Sequence, residues 1–287
     1  MTAVTRQERF PLAGWFLYWN CPEGRVRWAD VEKVLCSQGI KVLRASGRRF
    51  VEDVLQRFKE EVDLVWRVVK EEEEDGRVFW KFYSGRVKIK DELRVSACNF
   101  IVDEDRNVRV EKLPNGLEEK FRRIIDELKD TESGGWLSWQ IVRYLLDNLS
   151  AIRVRKDGGL YFVPVRRESE LTVLENAMKE LGFTVFKIGV IDEDRTRELI
   201  WKVLAEEVSE FEKEVKEYVK RLADGGRFRE SGFESRLEAG RKLREKLLVY
   251  KEYGEEALRR LTDSLGALER ELLAAKLEYA MEEEEEE

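Results

Sequence analysis

Residues 151–165 read AIRVRKDGGLYFVPV. Apolar and polar positions alternate on both sides of Asp157-Gly158-Gly159, and that tripeptide supplies the backbone freedom a tight reversal needs, so the stretch predicts a β-hairpin. A three-residue loop puts Ile152, Val154, Leu160 and Phe162 on a core face and Arg153, Arg155 and Tyr161 outside. Upstream, the apolar spacing predicts a helix over Leu117–Leu128, capped near Asn115. After a break at Ser133-Gly134-Gly135 a second helix runs from about Leu137 to Leu149, with Ile141, Val142, Leu145, Leu146 and Leu149 on one face. Helix, turn, helix and wing is the order of a winged-helix DNA reader. The second helix, however, exposes mainly Gln140, Arg143, Asp147 and Asn148, a poor phosphate footprint, which favours a purely structural module over a DNA reader.

Downstream lie a helix at Glu168–Leu181, a strand at Phe183–Ile191 and two long apolar seams. The first carries Ile200, Leu204, Val208, Phe211, Val215, Tyr218 and Leu222 at steps of three and four, close to an a/d heptad. The second carries Leu247, Tyr250, Gly254, Leu258, Leu261, Leu265, Leu268, Leu272, Ala275 and Tyr279. Each seam is narrow and needs a neighbour, so two helices joined at Asp224-Gly225-Gly226 are expected to fold back as an antiparallel hairpin, or to dock on a partner chain or a second copy. The six glutamates after Met281 repel one another and are expected to fray.

Toward the N-terminus the pattern is mixed α and β. Gly14–Cys21 reads as an aromatic strand, Trp28–Gln38 as a helix stopped by Gly39, and Arg49–Val62 has helical spacing. Leu64–Lys70, Arg77–Lys90 and Arg94–Val110 read as strands whose short connections suit an antiparallel meander. The fold class is α+β. Composition divides the chain into an antiparallel-sheet body (1–113), a helix-turn-helix plus hairpin module (114–191), a long helical hairpin or coiled coil (192–281) and an acidic tail (282–287).

The segment Leu149–Pro164 (LSAIRVRKDGGLYFVP) is followed by a helix, then by Phe183–Ile191 (FTVFKIGVI) and by Asp192–Leu199 (DEDRTREL) opening a long helix. In this it resembles a family of uncharacterised proteins found in bacteria, archaea and their phages and plasmids, as does the N-terminal order of Trp15-Phe16, the helix at Trp28–Gln38, Gly39 and the helix from Arg49-Phe50. Its specific motif is Gly158–Pro164 (GGLYFVP). The resemblance implies an association with mobile elements and carries over no functional residue.

The chain of 287 residues has 53 Lys+Arg, 60 Asp+Glu and no histidine, for a net charge of −7. Without histidine there is no Ser-His-Asp or Cys-His catalysis and no imidazole metal ligand. Cys21, Cys36 and Cys98 are far apart without a C-x-x-C, and read as small buried hydrophobes in a reducing cytoplasm. No cofactor is implied. No apolar run approaches the length of a signal peptide or a membrane span. Charged residues at 39%, with few Gln and Asn, resemble hyperthermophile composition.

The basic-aromatic stretch 77–90 is the main candidate surface. If Ser84-Gly85 is a two-residue turn, Trp80, Phe82, Val87 and Ile89 form a core face, and Phe79, Lys81, Tyr83, Arg86, Lys88 and Lys90 form the other. Lys81 opposite Lys88 calls for an anion. Phosphate would serve, with aromatics stacking the bases of a single-stranded nucleic acid; so would the Glu71–Glu74 run, or the lysines could simply guard a solvated edge. Arg153, Arg155 and Tyr161 are the second candidate set. A carboxylate-bound Mg²⁺ at Asp103, Glu104 and Asp105 near Glu111-Lys112 would make a nuclease or phosphotransfer enzyme. The spacing departs from Glu-x-Lys, and a solvated acidic turn accounts for it. The expected function is a non-enzymatic binding or assembly protein, with that enzyme, or a purely structural viral or plasmid protein, as alternatives.

Overall fold

A computed structural model of the chain describes residues 11–45, 49–50, 52–54, 56–57, 65–74, 77–87, 93–94, 99–102, 106, 108–112, 118–155, 159–224 and 226–286. The architecture is α+β. It divides into two units that interleave in sequence, where composition suggests consecutive blocks: one made of residues 1–20, 142–179 and 184–287, the other of 21–141 and 180–183.

The first unit is built on a four-stranded antiparallel sheet in the order β11-β1-β10-β9. Its strands are β1 (Leu12–Asn20), β9 (Ile152–Arg153), β10 (Tyr161–Pro164) and β11 (Thr184–Ile191). A hairpin forms within residues 151–165, but with Tyr161 opposite Arg153 and Phe162 opposite Ile152 its reversal is longer than the expected three-residue Asp157-Gly158-Gly159 loop, which would set Tyr161 opposite Arg155. The inward and outward alternation is kept because the shift is two residues. Its second strand does not end the sheet: β1 pairs along the other side of β10, Leu17 opposite Tyr161 and Gly14 opposite Pro164. At Gly14 the strands approach so closely that a Cβ would lie 2.2 Å from the Val163 carbonyl oxygen, so only glycine fits.

The C-terminal region of this unit holds three helices, α5 (Asp194–Ala223), α6 (Glu230–Val249) and α7 (Glu255–Glu286). All seven residues of the first seam are buried in α5. The chain folds back antiparallel after the glycine-rich bend, as expected, but the returning helix is α6. Glu207 pairs with Lys246 and Phe211 packs at Gly240. Arg236 lies over Tyr218, 4.2 Å from the ring centre. The second seam is interrupted at a short 3-10 turn, Lys251–Tyr253, followed by Gly254, and α7 then reverses again: Arg244 meets Glu269 at 2.7 Å and Glu230 meets Lys276 at 2.6 Å. The two long seams therefore run parallel, with α6 antiparallel to both. The break has a local cause. Tyr250 and Tyr253 turn into the sheet, ring centres 6.3 Å from Phe162, while Gly254 lets the chain pass against Trp201. Sheet residues Ala13, Ile152, Phe162 and Val190 belong to one apolar core with all three helices.

Helix α4 (Glu168–Glu180) buries Leu171, Leu174, Ala177 and Met178. Lys187 on β11 sits over the Trp15 ring, 4.3 Å from its centre, and 3.6 Å from Glu175 of α4. A charged group is thus enclosed between an aromatic face and a carboxylate, each compensating part of its lost hydration.

The second unit holds the expected antiparallel meander, in the order β3-β4-β6-β7 with β5 on β4. Its strands are β3 (Val65–Glu74), β4 (Arg77–Val87), β5 (Leu93–Arg94), β6 (Asn99–Val102) and β7 (Val108–Lys112). Helix α1 (Trp28–Val34) is shorter than expected and ends through a 3-10 turn at Gly39, whose φ of +75° is the left-handed value glycine tolerates. The apolar face of α2 (Glu118–Lys129) is Phe121, Ile124, Ile125 and Leu128. Helix α3 (Gly134–Asn148) belongs to this unit as far as Ile141 and to the first unit from Val142. It starts three residues before the expected Leu137 because the Ser133 hydroxyl accepts the Trp136 backbone N–H at 3.2 Å, which makes Ser133 an N-cap rather than part of a break. Two further strands, β2 (Arg25–Arg27) and β8 (Thr131–Ser133), pair with each other. Cys21 and Cys36 are free and exposed, which corrects their reading as buried hydrophobes: one follows β1 and the other sits in the 3-10 turn, both outside the apolar positions.

The polar centre of this unit is the pair Arg106–Glu132, each side chain 1% exposed. Arg106 Nη2 also donates to the Ala45 carbonyl at 2.8 Å, and Nη1 to the carbonyls of Lys129 at 3.2 Å and Thr131 at 3.3 Å. Its guanidinium lies 5.2 Å from the centre of the Phe50 ring. Arg106 adopts φ +63°, a left-handed backbone that is costly for a residue with a Cβ, and these bonds hold it there.

Candidate functional site

The basic-aromatic stretch is not a hairpin. Strand β4 passes straight through Ser84 and Gly85, which pair with Trp66 and Val65 of β3. The reversal lies instead between Glu74 and Arg77, where the intervening sequence is Asp-Gly, stronger turn chemistry than Ser-Gly. Phe79, Lys81 and Tyr83 keep one register parity, while Arg86 takes the other and is paired with Arg94, so the expected six-residue face is divided. Lys81 stands opposite Lys70 on one side and Ile101 on the other, so β4 is an inner strand rather than an edge. Lys88 and Lys90 lie outside the described residues, as do Asp103, Glu104 and Asp105. Among the described residues no group of three or more His, Cys, Asp or Glu side chains could hold a metal ion.

The second candidate set is placed on the first unit's sheet. Ile152 and Phe162 are buried, and Arg153 and Arg155 are exposed, as the alternation predicts. Tyr161 is the exception: it is 3% exposed, stacked on Trp19 with ring centres 5.4 Å apart, and overlaid by the Arg153 guanidinium at 5.7 Å. A free wing has one covered face. Here β1 makes β10 an inner strand covered on both faces, which removes Tyr161 from solvent and departs from a winged-helix wing.

Two further features belong to the first unit, and Arg153 alone of the expected site residues takes part in them. One is a cleft of about 650 Å³ lined by the end of α3, β9, α5 and α6, with Asp147, Arg153, Arg167, Glu207 and Lys246 among its walls. Lys246 Nζ contacts both carboxylate oxygens of Glu207, at 2.8 and 3.0 Å. Burial holds its pKa below the ordinary lysine value, while Glu207 pulls in the opposite sense. With acids and bases interspersed, the cleft favours neither an anion nor a cation by net field. The residues are too far apart in sequence for periodicity to bring them together.

The other feature is on the outside of the bundle. Leu273, Leu277 and Met281 follow one another at steps of four on α7 and are 48%, 67% and 63% exposed. They lie on the side of the helix away from the buried Leu265, Leu268, Leu272 and Ala275. The signal was available as spacing, but the stronger inward seam masks it. Among the described residues no helix is long and apolar enough to cross a membrane.

No curated protein and no solved structure matches the chain. The model of a family of unknown function, DUF6744, matches residues 57–283, a span that takes in the meander, the GGLYFVP hairpin and nearly all of the helical bundle. The chain therefore belongs to the DUF6744 family, whose function is unknown.

Proposed function

We propose that this is a binding and assembly protein that acts through its C-terminal helical bundle. The observation that carries the reading is the Leu273–Leu277–Met281 stripe: three large apolar side chains in one line, exposed on a helix whose other face is already occupied by its own core. An aligned apolar stripe of this kind is the usual mark of a helix that meets another helix. Light scattering on the full chain over a range of concentrations is expected to give a mass above that of the 33.9 kDa monomer. A monomer at every concentration would sink the reading.

A second reading, binding of single-stranded nucleic acid in the setting of a mobile element, is favoured by Arg153 and Arg155, both exposed next to the open edge of the sheet at β9. The setting rests on the family resemblance alone. Binding of a labelled oligonucleotide should weaken steeply between about 50 and 200 mM salt and drop in the Arg153→Glu, Arg155→Glu double variant. Binding that is absent at low salt would remove this reading and leave the first intact.

A further inference from the structure

We infer that the partner of the α7 stripe is the same stripe on a second copy of this chain, laid antiparallel and centred on Leu277. The inference rests on the assembly reading above and names its partner and geometry. Three observations lead to it.

First, the stripe is short and bounded by opposite charges. On its N-terminal side, Arg270 is exposed on the same face one turn before Leu273. On its C-terminal side the sequence continues directly into Glu282–Glu287, and α7 remains helical to Glu286.

Second, these ends decide direction. A parallel pair would lay one run of six glutamates beside the other, and like charges repel along the whole contact. An antiparallel pair instead brings each acidic run alongside the Arg270 region of the other copy. With the crossing at Leu277, Leu277 meets itself, Leu273 meets Met281 of the other copy, and position 270 falls opposite position 284, an arginine against a glutamate at both ends. This is the self-complementary contact of a two-fold dimer.

Third, among the described residues nothing covers the stripe, which is left 48–67% exposed. The inward residues Leu265, Leu268, Leu272 and Ala275 already fill the core, and Lys276 at its flank is held by Glu230.

The test is direction-sensitive. In full-length protein with Cys21, Cys36 and Cys98 replaced by serine, spin labels are placed singly at Asp263, Ala267 and Glu278, and label-to-label distances are measured by pulsed dipolar spectroscopy. In an antiparallel dimer the distance is shortest at 278. It lengthens by about 3 Å for each residue the label moves toward the N-terminus, twice the helical rise because both copies move. In a parallel dimer the three distances are equal. Leu277→Lys should return the protein to a monomer by light scattering with its helical circular dichroism unchanged. Arg270→Glu should weaken the dimer at least several-fold at low salt and less at high salt. Equal distances at the three positions, or a dimer that survives Leu277→Lys, would overturn the antiparallel contact while leaving assembly standing. A monomeric parent protein would overturn both.

Discussion

At the scale of single residues, the most consequential side chains are polar ones inside the protein. Arg106 and Glu132 are both desolvated, and burial lowers the Arg106 pKa against the opposing influence of Glu132. Removing Glu132 leaves the buried Arg106 guanidinium without a carboxylate, so Glu132→Ala is expected to destabilise by about 3–5 kcal/mol in urea unfolding. Arg106→Ala should cost less, because Glu132 keeps Arg44 at 3.8 Å and the Ala45 N–H at 3.3 Å. Replacing both, as Arg106→Met with Glu132→Leu, should cost less than the sum, because no charge is then left behind. Two independent additive losses would show that the pair is not a unit. Tyr250 offers a pH handle. Its hydroxyl donates to the Ser150 carbonyl at 2.7 Å, and complete burial holds its pKa well above the ordinary tyrosine value; burial raises Tyr253 as well. A raised folded pKa means that the stabilisation is fully present below about pH 10, where the unfolded tyrosine titrates, and is lost as pH rises from there toward the folded value. Stability should therefore fall steeply above pH 10, and Tyr250→Phe should flatten that fall. An equal slope in the variant would refute the assignment.

At the scale of elements, backbone approach decides what spacing leaves open. Gly254 reads in sequence as one more position of a heptad seam. In the folded chain a Cβ there would lie 2.5 Å from Trp201 Nε1, so the position ends one helix and starts another. Gly254→Ala is expected to cost about 1–3 kcal/mol, the range for overpacking, and to shift tryptophan emission as Trp201 moves. A neutral substitution would mean that the contact is slack. Most elements were legible in advance: the aromatic strand β1, the reversal at Gly39, the meander, the hairpin of β9 and β10, and the first seam in α5. Legibility failed where a partner distant in sequence decided the outcome. β10 became an inner strand because β1, more than 140 residues earlier, pairs with it, and that buried Tyr161. β4 ran through Ser84-Gly85 because it pairs along the length of β3 and an Asp-Gly reversal lay nine residues earlier. The short pair β2 and β8 has too little sequence of its own to announce itself.

At the scale of the molecule, the bundle and the sheet of the first unit share a single core. Ile152, Phe162 and Val190 are covered by residues of α5 and of the turn at Tyr250–Tyr253. A chain ending at Asp192 would expose that sheet face to water. It is expected to lose cooperative unfolding in the first unit, seen as a broad, early loss of protection of β1, β10 and β11 in hydrogen exchange. Retention of native protection there would show that the sheet stands without the helices. The candidate contact surface is different in kind: Leu273, Leu277 and Met281 contribute nothing to that core, so substituting them should leave the melting of the isolated chain unchanged while altering its mass in solution.

By itself the sequence determined the α+β class, the helical positions that turn inward, the hairpin alternation at residues 151–165 and the absence of imidazole chemistry. All of these follow from local periodicity, turn chemistry and composition, which act within a few residues. Only the tertiary structure decided which strands became inner strands, that the second seam breaks at Gly254, that the two long seams run parallel with α6 between them in sequence and antiparallel to both, and which apolar residues on α7 remain uncovered. Those outcomes depend on contacts between segments up to hundreds of residues apart, where the same apolar position is core or surface according to what folds against it.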